Sequence, residues 1–171
     1  LQERQQALTG STEKLFELNG RDENGWKLSE VEYLMSVAQH KLGLSYYSGK
    51  GIRKDPQESV NWHRKAASKG YPPAEYSMGL RYARGEGVEQ DYAAAARWYQ
   101  KAAKHGHLSA QNNLGLLYRK GQGVDKDYGE ALKWFRQAAE RGHTLAQYNL
   151  GNMYLKGQGV TQDRTEADKW F

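Results

Sequence analysis

A period of 36 residues runs through most of this chain, and it restricts the fold more than any other feature. Within each period an alanine is followed by an apolar residue with a glycine, a tyrosine, a Gly-x-Gly turn, an aspartate and a tryptophan. The recurring residues are Ala38, Ala74, Ala110 and Ala146; Tyr46, Tyr82, Tyr118 and Tyr154; Asp55, Asp91, Asp127 and Asp163; and Trp62, Trp98, Trp134 and Trp170. Four copies without an insertion predict a repeat architecture in which each unit stacks on the next.

The first half of each period predicts a helix followed by a tight turn. Its alanine, apolar residue and tyrosine occupy repeat positions 1, 5 and 9, which the helical periodicity places on one face. We expect that face to be core. The glycine at position 6 leaves room for a second helix, and the glycines at positions 12 and 14 end the first helix with positive φ.

The second half of each period predicts another helix. The aspartate is a good N-cap, and Pro56 directly after Asp55 occupies a first-turn position where proline is tolerated. We expect this helix to bury its tryptophan and to end at Gly70, Gly106 and Gly142 in the first three copies. A single hairpin of this kind cannot bury both of its faces. The sequence therefore predicts an all-α solenoid of helix-turn-helix repeats.

The repeated residues resemble the Sel-1-like repeat (SLR) family, which is related to the tetratricopeptide repeats. The resemblance covers residues 38–171 and implies a right-handed α/α superhelix that acts as a bacterial scaffold or adaptor, with a periplasmic or exported location favoured over the cytoplasm. Some cysteine-rich members have a disulfide in each repeat, whereas this chain has no cysteine. The residues that carry the resemblance are Ala110, Leu114-Gly115, Tyr118, Gly121-x-Gly123-Val124, Asp127, Trp134, Ala138-Ala139 and Gly142.

The period divides the chain into a leader and four repeats. We expect a helical N-terminal cap over residues 1–37, repeats over 38–73, 74–109 and 110–145, and a shortened fourth repeat over 146–171. Residues 2–18 form an amphipathic pattern, and Ser29-Glu30-Val31-Glu32 reads as a capping box that opens a longer first helix. Because the fourth repeat stops before its closing Ala-Ala and Gly, we expect either that the native protein continues beyond residue 171 or that its tail was lost or is disordered.

Charge is distributed unevenly along the chain. Residues 1–37 hold four Lys/Arg and seven Asp/Glu, a net charge of −3, whereas residues 38–171 hold 21 and 13, a net charge of +8, which together give +5. A basic repeat array favours an acidic partner. The absence of cysteine excludes disulfides and thiolate metal sites. No apolar run reaches the roughly 18 residues that a membrane span needs, so we expect no membrane insertion.

Residues that differ between the copies are the candidates for function, because packing explains the repeated ones. Positions 3, 7, 10 and 11 of each first helix point away from the predicted core, and the matching face of tetratricopeptide-like solenoids lines the concave groove. We call these positions the groove strip: His40, Leu44, Tyr47, Ser48; Tyr76, Leu80, Ala83, Arg84; Asn112, Leu116, Arg119, Lys120; and Tyr148, Asn152, Leu155, Lys156. Aromatic residues with arginines are typical of protein-binding hot spots. The leucines form either an apolar floor of the groove or packing contacts between repeats.

Other chemistry finds little support in the residues. His105, His107 and His143 suggest a metal site, but His107 and His143 lie one period apart at a loop position, so we assign structural or solvent roles to all three. The loop 19–30 resembles a calcium-binding loop, but the bidentate acid is missing when Gly25 is aligned with the required glycine. No Ser-His-Asp or paired-carboxylate arrangement emerges. We therefore predict no catalytic residue, no metal and no cofactor.

The sequence favours a non-enzymatic scaffold that binds another protein or peptide, an acidic one given the charge of the repeats, in the concave groove. An immunity protein that neutralises a secreted toxin is an alternative within this class. The competing class is RNA binding, since helical repeats with basic and aromatic residues can bind single strands. Nucleic acid is less favoured because the Lys and Arg residues are spread over both helices and are partly offset by the cap aspartates.

Overall fold

The computed structural model describes residues 30–171, which form eight helices with no strand among them. The helices are α1 (Glu30–Ser48), α2 (Pro56–Ala67), α3 (Pro72–Arg84), α4 (Tyr92–Lys104), α5 (Leu108–Lys120), α6 (Tyr128–Glu140), α7 (Thr144–Lys156) and α8 (Arg164–Trp170). Odd-numbered helices are the first helices of the four repeats, and even-numbered helices are the second. Each helix packs mainly against its neighbours along the chain. This arrangement confirms the predicted all-α solenoid of hairpin repeats.

Several predictions concern the chain before the first described helix. The amphipathic segment 2–18, Ser29 of the predicted capping box and the loop 19–30, apart from Glu30, lie outside the described residues. Helix α1 has 19 residues, whereas α3, α5 and α7 have 13 each. The prediction of a longer first helix is therefore confirmed.

The helix ends are formed by the residue types that recur in the sequence. The Asp55 carboxylate accepts hydrogen bonds from the backbone N–H groups of Gln57 and Glu58 and so caps the N-terminus of α2. The other three recurring aspartates cap α4, α6 and α8 in the same way. At the end of α3, the first helix of the second repeat, Gly85 has a φ of 67°. It closes the helix in the left-handed conformation that disfavours a Cβ. The predicted caps and turns are confirmed.

A close contact between a helix backbone and a ring holds each hairpin together. The glycine at position 6 of the first helix faces the side chain at position 26 of the second, in the pairs Gly43–His63, Gly79–Tyr99, Gly115–Phe135 and Gly151–Phe171. A Cβ added to Gly115 would lie 2.7 Å from Cε1 of Phe135, which is closer than side chains tolerate. The glycine therefore lets the second helix approach until the ring lies on the backbone of the first.

The tryptophans at position 25 are less deeply buried than predicted. Trp134 is buried, whereas the other three are half-buried. The side chain that reaches the facing glycine belongs to the next residue along the helix, at position 26. The ammonium groups of Lys65 and Lys101 lie over the rings of Trp62 and Trp98, at 4.0 and 4.5 Å from the ring centroids. These tryptophans cover the margin of the core.

The alanine at position 1 packs between repeats. Ala74, Ala110 and Ala146 are fully buried, as predicted. Ala38 is exposed, which contradicts its predicted place in the core. The physical reason is that the other three alanines pack against the second helix of the preceding repeat, and no described helix precedes α1.

The second glycine of each turn also joins neighbouring repeats. A Cβ added to Gly87 would overlap the backbone carbonyl of Pro56, at the start of the preceding second helix. Gly123 and Gly159 lie in the same way against the backbone at Tyr92 and Tyr128. These glycines therefore have a packing role besides their positive φ.

We predict that Gly115→Ala lowers the free energy of unfolding by about 1–3 kcal/mol, although alanine favours helices more than glycine does. The added methyl group would push the Phe135 ring and α6 away from α5. Urea unfolding measures the change. The control is Gly115→Ala combined with Phe135→Leu, because the smaller leucine provides room for the methyl group. The double variant should lose less unfolding free energy than the sum of the two single variants. Additive losses of unfolding free energy would contradict the contact.

Candidate functional site

The groove strip consists of an exposed part and a part engaged between repeats. Its exposed members are Leu44, Ser48, Arg84, Lys120, Tyr148 and Lys156, with Leu44 43% and Tyr148 59% exposed. Its half-buried members are His40, Tyr47, Tyr76, Leu80, Ala83, Leu116, Arg119, Asn152 and Leu155. Leu80 and Leu116 pack against the cores of the second and third hairpins and the helices that follow. These two leucines are therefore packing residues in large part.

Three basic residues occupy position 11 of successive first helices. Arg84, Lys120 and Lys156 are each the last residue of their helix, next to the left-handed glycine that closes it. Their positive charges lie beside the negative end of the helix dipole, which is a favourable arrangement. All three are exposed, and none forms an ion pair with another residue in the range 30–171. They form a row of cations whose charge is available to a partner.

Tyr47 is engaged in a polar cluster that joins the first and second repeats. The guanidinium of the buried Arg81 lies 3.6 Å from the centroid of the Tyr47 ring. The same guanidinium pairs with Glu86 at 2.9 Å, and the Tyr47 hydroxyl donates a hydrogen bond to the other oxygen of Glu86 at 3.3 Å. Sequence reasoning missed Arg81. The sequence did contain a sign of this contact: Arg81 is a charged residue at repeat position 8, where the later repeats have the apolar residues Leu117 and Met153.

A second polar cluster joins the third and fourth repeats. The Asn149 amide donates a hydrogen bond to Oδ1 of Asn112 at 2.8 Å, and Arg119 donates one to Oδ1 of Asn149 at 3.2 Å. Asn112 is only 3% exposed, so the structure contradicts its predicted place on the groove surface. The reason is that α7 covers it with Asn149. Arg119 is half-buried and partly committed to this contact.

The histidines at the repeat junctions have structural contacts. His107 and His143 are the N-cap residues of α5 and α7, and their Nδ1 atoms accept hydrogen bonds from the backbone of Ala110 and Ala146 at 3.2 Å. Burial lowers the pKa of His107 to about 4 and also lowers the pKa of His143. A neutral imidazole is what this role requires, because only an unprotonated Nδ1 can accept the bond.

His105 forms a separate contact with the preceding first helix. Its Nδ1 lies 2.8 Å from Oε2 of the buried Glu75. Burial raises the pKa of Glu75, and the hydrogen bond from His105 partly opposes that rise. In the part of the chain from residue 30 onward, no group of three His, Cys, Asp or Glu side chains has the arrangement of a metal site. None of its helices is long and apolar enough to cross a membrane.

Sequence reasoning also overlooked His63. It occupies position 26, directly after Trp62 in the chain, and faces Gly43 in the way that Phe135 faces Gly115. It is fully buried, and its ring centroid lies 5.0 Å from that of His40. Position 26 is His, Tyr, Phe and Phe in the four copies. Because the residue type changes, a search for identical residues did not reveal it as a repeated position.

A family model described as Sel1 repeat matches four segments of the chain, 36–71, 72–107, 108–143 and 144–171. These segments keep the 36-residue step and begin two residues before the periods counted from the alanines. A comparison with curated proteins finds no match. The matched segments span all eight helices except the first six residues of α1.

Solved structures with the same architecture come from bacteria. A protective antigen of uropathogenic Escherichia coli that displays an SLR fold is 49% identical with a TM-score of 0.78, over 79% of this chain and 29% of that one. A Sel1 repeat protein from Oxalobacter formigenes is 39% identical with a TM-score of 0.77, over 86% and 61%. Helicobacter pylori cysteine rich protein B is 25% identical with a TM-score of 0.55, over 65% and 82%. The chain therefore spans less than two thirds of the first two structures.

We predict that Asn149→Ala lowers the free energy of unfolding by about 1–3 kcal/mol, because Oδ1 of the buried Asn112 loses the donor that Asn149 provides. Urea unfolding measures the loss. In the matched control, Asn112→Leu with Asn149→Leu, both buried amides are replaced by apolar side chains of similar size, so stability should stay within about 1 kcal/mol of the wild type. A double variant less stable than Asn149→Ala would contradict this account.

Proposed function

Because the chain belongs to the Sel1 repeat family, we propose that it binds a partner protein along the exposed part of its groove strip. Proteins of this family are generally scaffolds for protein interactions without enzymatic activity. The repeated residues are used for caps, turns and packing, and several polar strip residues are used for contacts between repeats. What is left for a partner is the exposed set that varies between copies.

The row of Arg84, Lys120 and Lys156 carries this proposal. Each cation lies at the same position of its repeat, is exposed, and has no ion pair with residues 30–171. A row of like charges at a regular spacing suits a segment whose carboxylates are also spaced along its length. We therefore infer an acidic segment of a protein as the ligand, lying in the concave groove along successive first helices.

Apolar contacts would accompany these charges. Leu44 lies on α1, in the repeat before the one that carries Arg84, and Tyr148 lies on α7, the helix that carries Lys156. Exposed apolar side chains of the first and fourth repeats therefore accompany the cations. Tyrosine is enriched in interaction hot spots because it buries a large area at a small entropic cost. Charge would then guide the encounter, and the apolar residues would prolong the bound state.

We predict that Arg84→Glu with Lys120→Glu reduces capture of the partner about tenfold, since two favourable charge contacts become repulsive. The matched control is Arg97→Glu with Lys104→Glu, which makes the same charge change on exposed residues of α4, one of them again at a helix C-terminus. The full chain and both variants are immobilised at equal density. Proteins captured from a lysate of the source organism are then compared by quantitative mass spectrometry.

A protein that wild type and control capture equally, and that the groove variant loses, would support the proposal. Equal capture by all three chains, at matched thermal stability, would contradict the groove strip as the interface. Capture that disappears after ribonuclease treatment would indicate nucleic acid as the ligand. Neutralisation of a toxin would be one instance of the proposed binding, and the same variants test it.

A further inference from the structure

The first hairpin differs from the others in the side chain that seals it. Tyr99 and Phe135 close the second and third hairpins against their glycines, whereas His63 closes the first against Gly43. All three are buried, and His63 has no exposed surface. An imidazole is the one side chain among them that can take up a proton under mildly acidic conditions.

The polar atoms around His63 lack hydrogen-bond partners. Neither ring nitrogen of His63 has one within residues 30–171, and the same holds for Oγ of Ser59, one turn earlier on α2, and for Nδ1 of His40 on α1. The two imidazole rings face each other at 5.0 Å with an angle of 40° between their planes. In the closed hairpin, a proton added to His63 would therefore have no hydrogen-bond acceptor in place at either ring nitrogen.

The charged groups that face His63 from both neighbouring helices oppose its protonation. His40 lies on α1 and Arg81 on α3, and both act to lower the pKa of His63, after the larger effect of burial. Glu86 could offset positive charge, but it pairs with Arg81 and accepts the Tyr47 hydroxyl. The pKa of His63 falls to about 3.

His40 is restricted in the same way. Its other ring neighbour is Tyr71, the N-cap residue of α3, at 5.6 Å. Burial lowers the pKa of His40 to about 4, and His107 adds a smaller effect in the same direction. Nearby, Oε1 of Glu32 on α1 lies 3.9 Å from Nζ of Lys69, which follows the end of α2, so these two charges pair with each other. Both imidazoles of the pair are therefore neutral in the closed hairpin.

We propose that the His40–His63 pair makes the first hairpin an acid-labile element, in which protonation of His63 separates α1 from α2 while the following hairpins stay closed. Protonation would place a cation against the α1 backbone, between a second imidazole and a guanidinium. Separation of the helices exposes the ring to water and removes that cost. The rings of Tyr99 and Phe135 bind no proton, so no protonatable side chain seals the second or third hairpin. His107 and His143, whose pKa values burial also lowers, cap the starts of α5 and α7 and do not seal a hairpin.

The direction of the pH dependence follows from the two states. His63 has a pKa of about 3 in the closed hairpin and an ordinary 6.5 when exposed, so the open form binds more protons at intermediate pH. The contribution of neutral His63 to the stability of the closed hairpin is complete above pH 6.5 and is lost as the pH falls towards 3. At about pH 4.5 the opening equilibrium should have shifted about 100-fold through His63 alone.

Opening of the first hairpin would also change the binding surface. Helix α1 supplies Leu44 and Ser48 to the exposed groove strip, so acid would remove the first repeat's share of it. This consequence rests on the proposed function, but the opening does not. The experiment therefore measures opening in the full chain without a partner.

Hydrogen–deuterium exchange with mass spectrometry, corrected for the chemical exchange rate at each pH, reports protection helix by helix. We predict that peptides from α1 and α2 lose protection on acidification at a higher pH than peptides from α5 and α6. His63→Phe, which installs the residue found in the third repeat, should abolish this early loss. The matched control His143→Tyr, which installs the residue found at the equivalent Tyr71, should retain it.

Three results would overturn the proposal: protection of α1 and α2 that persists at about pH 4.5, loss that is simultaneous in all repeats, or the same early loss in His63→Phe. If His63→Phe fails to fold, nitrogen NMR of the labelled histidines in the wild type decides. A neutral His63 that gains its proton together with the loss of α1 and α2 signals supports the proposal. A His63 that titrates near 6.5 while the hairpin stays intact overturns it.

Discussion

The distance between the two helices of a repeat determines how the rest of the structure can be built. At position 6 the first helix has no Cβ, and the side chain at position 26 of the second helix lies directly on its backbone, as Phe135 does on Gly115. This close approach buries the alanines around the ring and leaves three of the four tryptophans half-buried. It also brings the ends of the helices near enough for a short turn with left-handed glycines to connect them. Caps and turns can then recur without change because the spacing that they bridge is constant.

Contacts between repeats use a different chemistry from contacts within them. Inside each hairpin, a glycine of the first helix packs against a ring of the second helix. Between neighbouring repeats, the first helices contact each other through polar clusters around Arg81 and Asn149. Such clusters specify which residues must face each other, because a buried amide or guanidinium is costly without its partner. They also take Tyr47, Asn112 and much of Arg119 away from any ligand. Fewer of the variable strip positions are exposed than the sequence suggests, and the exposed strip residues that carry charge are Arg84, Lys120 and Lys156 at position 11.

The sequence predicted the fold because its repeated residues act locally. Helix caps and helix-ending glycines depend on neighbours within one repeat, and the alanine at position 1 and the second turn glycine make the same contact with the preceding repeat in each copy after the first. The pattern of one repeat therefore predicts the structure of the next. The sequence did not predict the role of the side chain at position 26, because the residue type there varies between copies, although it always follows the tryptophan. The groove strip was predicted less well, since the helical periodicity assigns a direction to each side chain but not what lies opposite. Asn112 points as predicted, and only the position of α7 reveals that Asn149 covers it.

The second glycine of each turn restricts how this array can change in length. Gly87, Gly123 and Gly159 lie against the backbone at Pro56, Tyr92 and Tyr128, which are 31 residues earlier in each case. A duplication or loss of one whole period leaves every such pairing in place. Any other insertion between the paired residues would carry the glycine away from the helix end that needs it, and a residue with a side chain would meet that backbone instead. Evolution can therefore lengthen or shorten the array one hairpin at a time, while the interior of the period admits little variation in length.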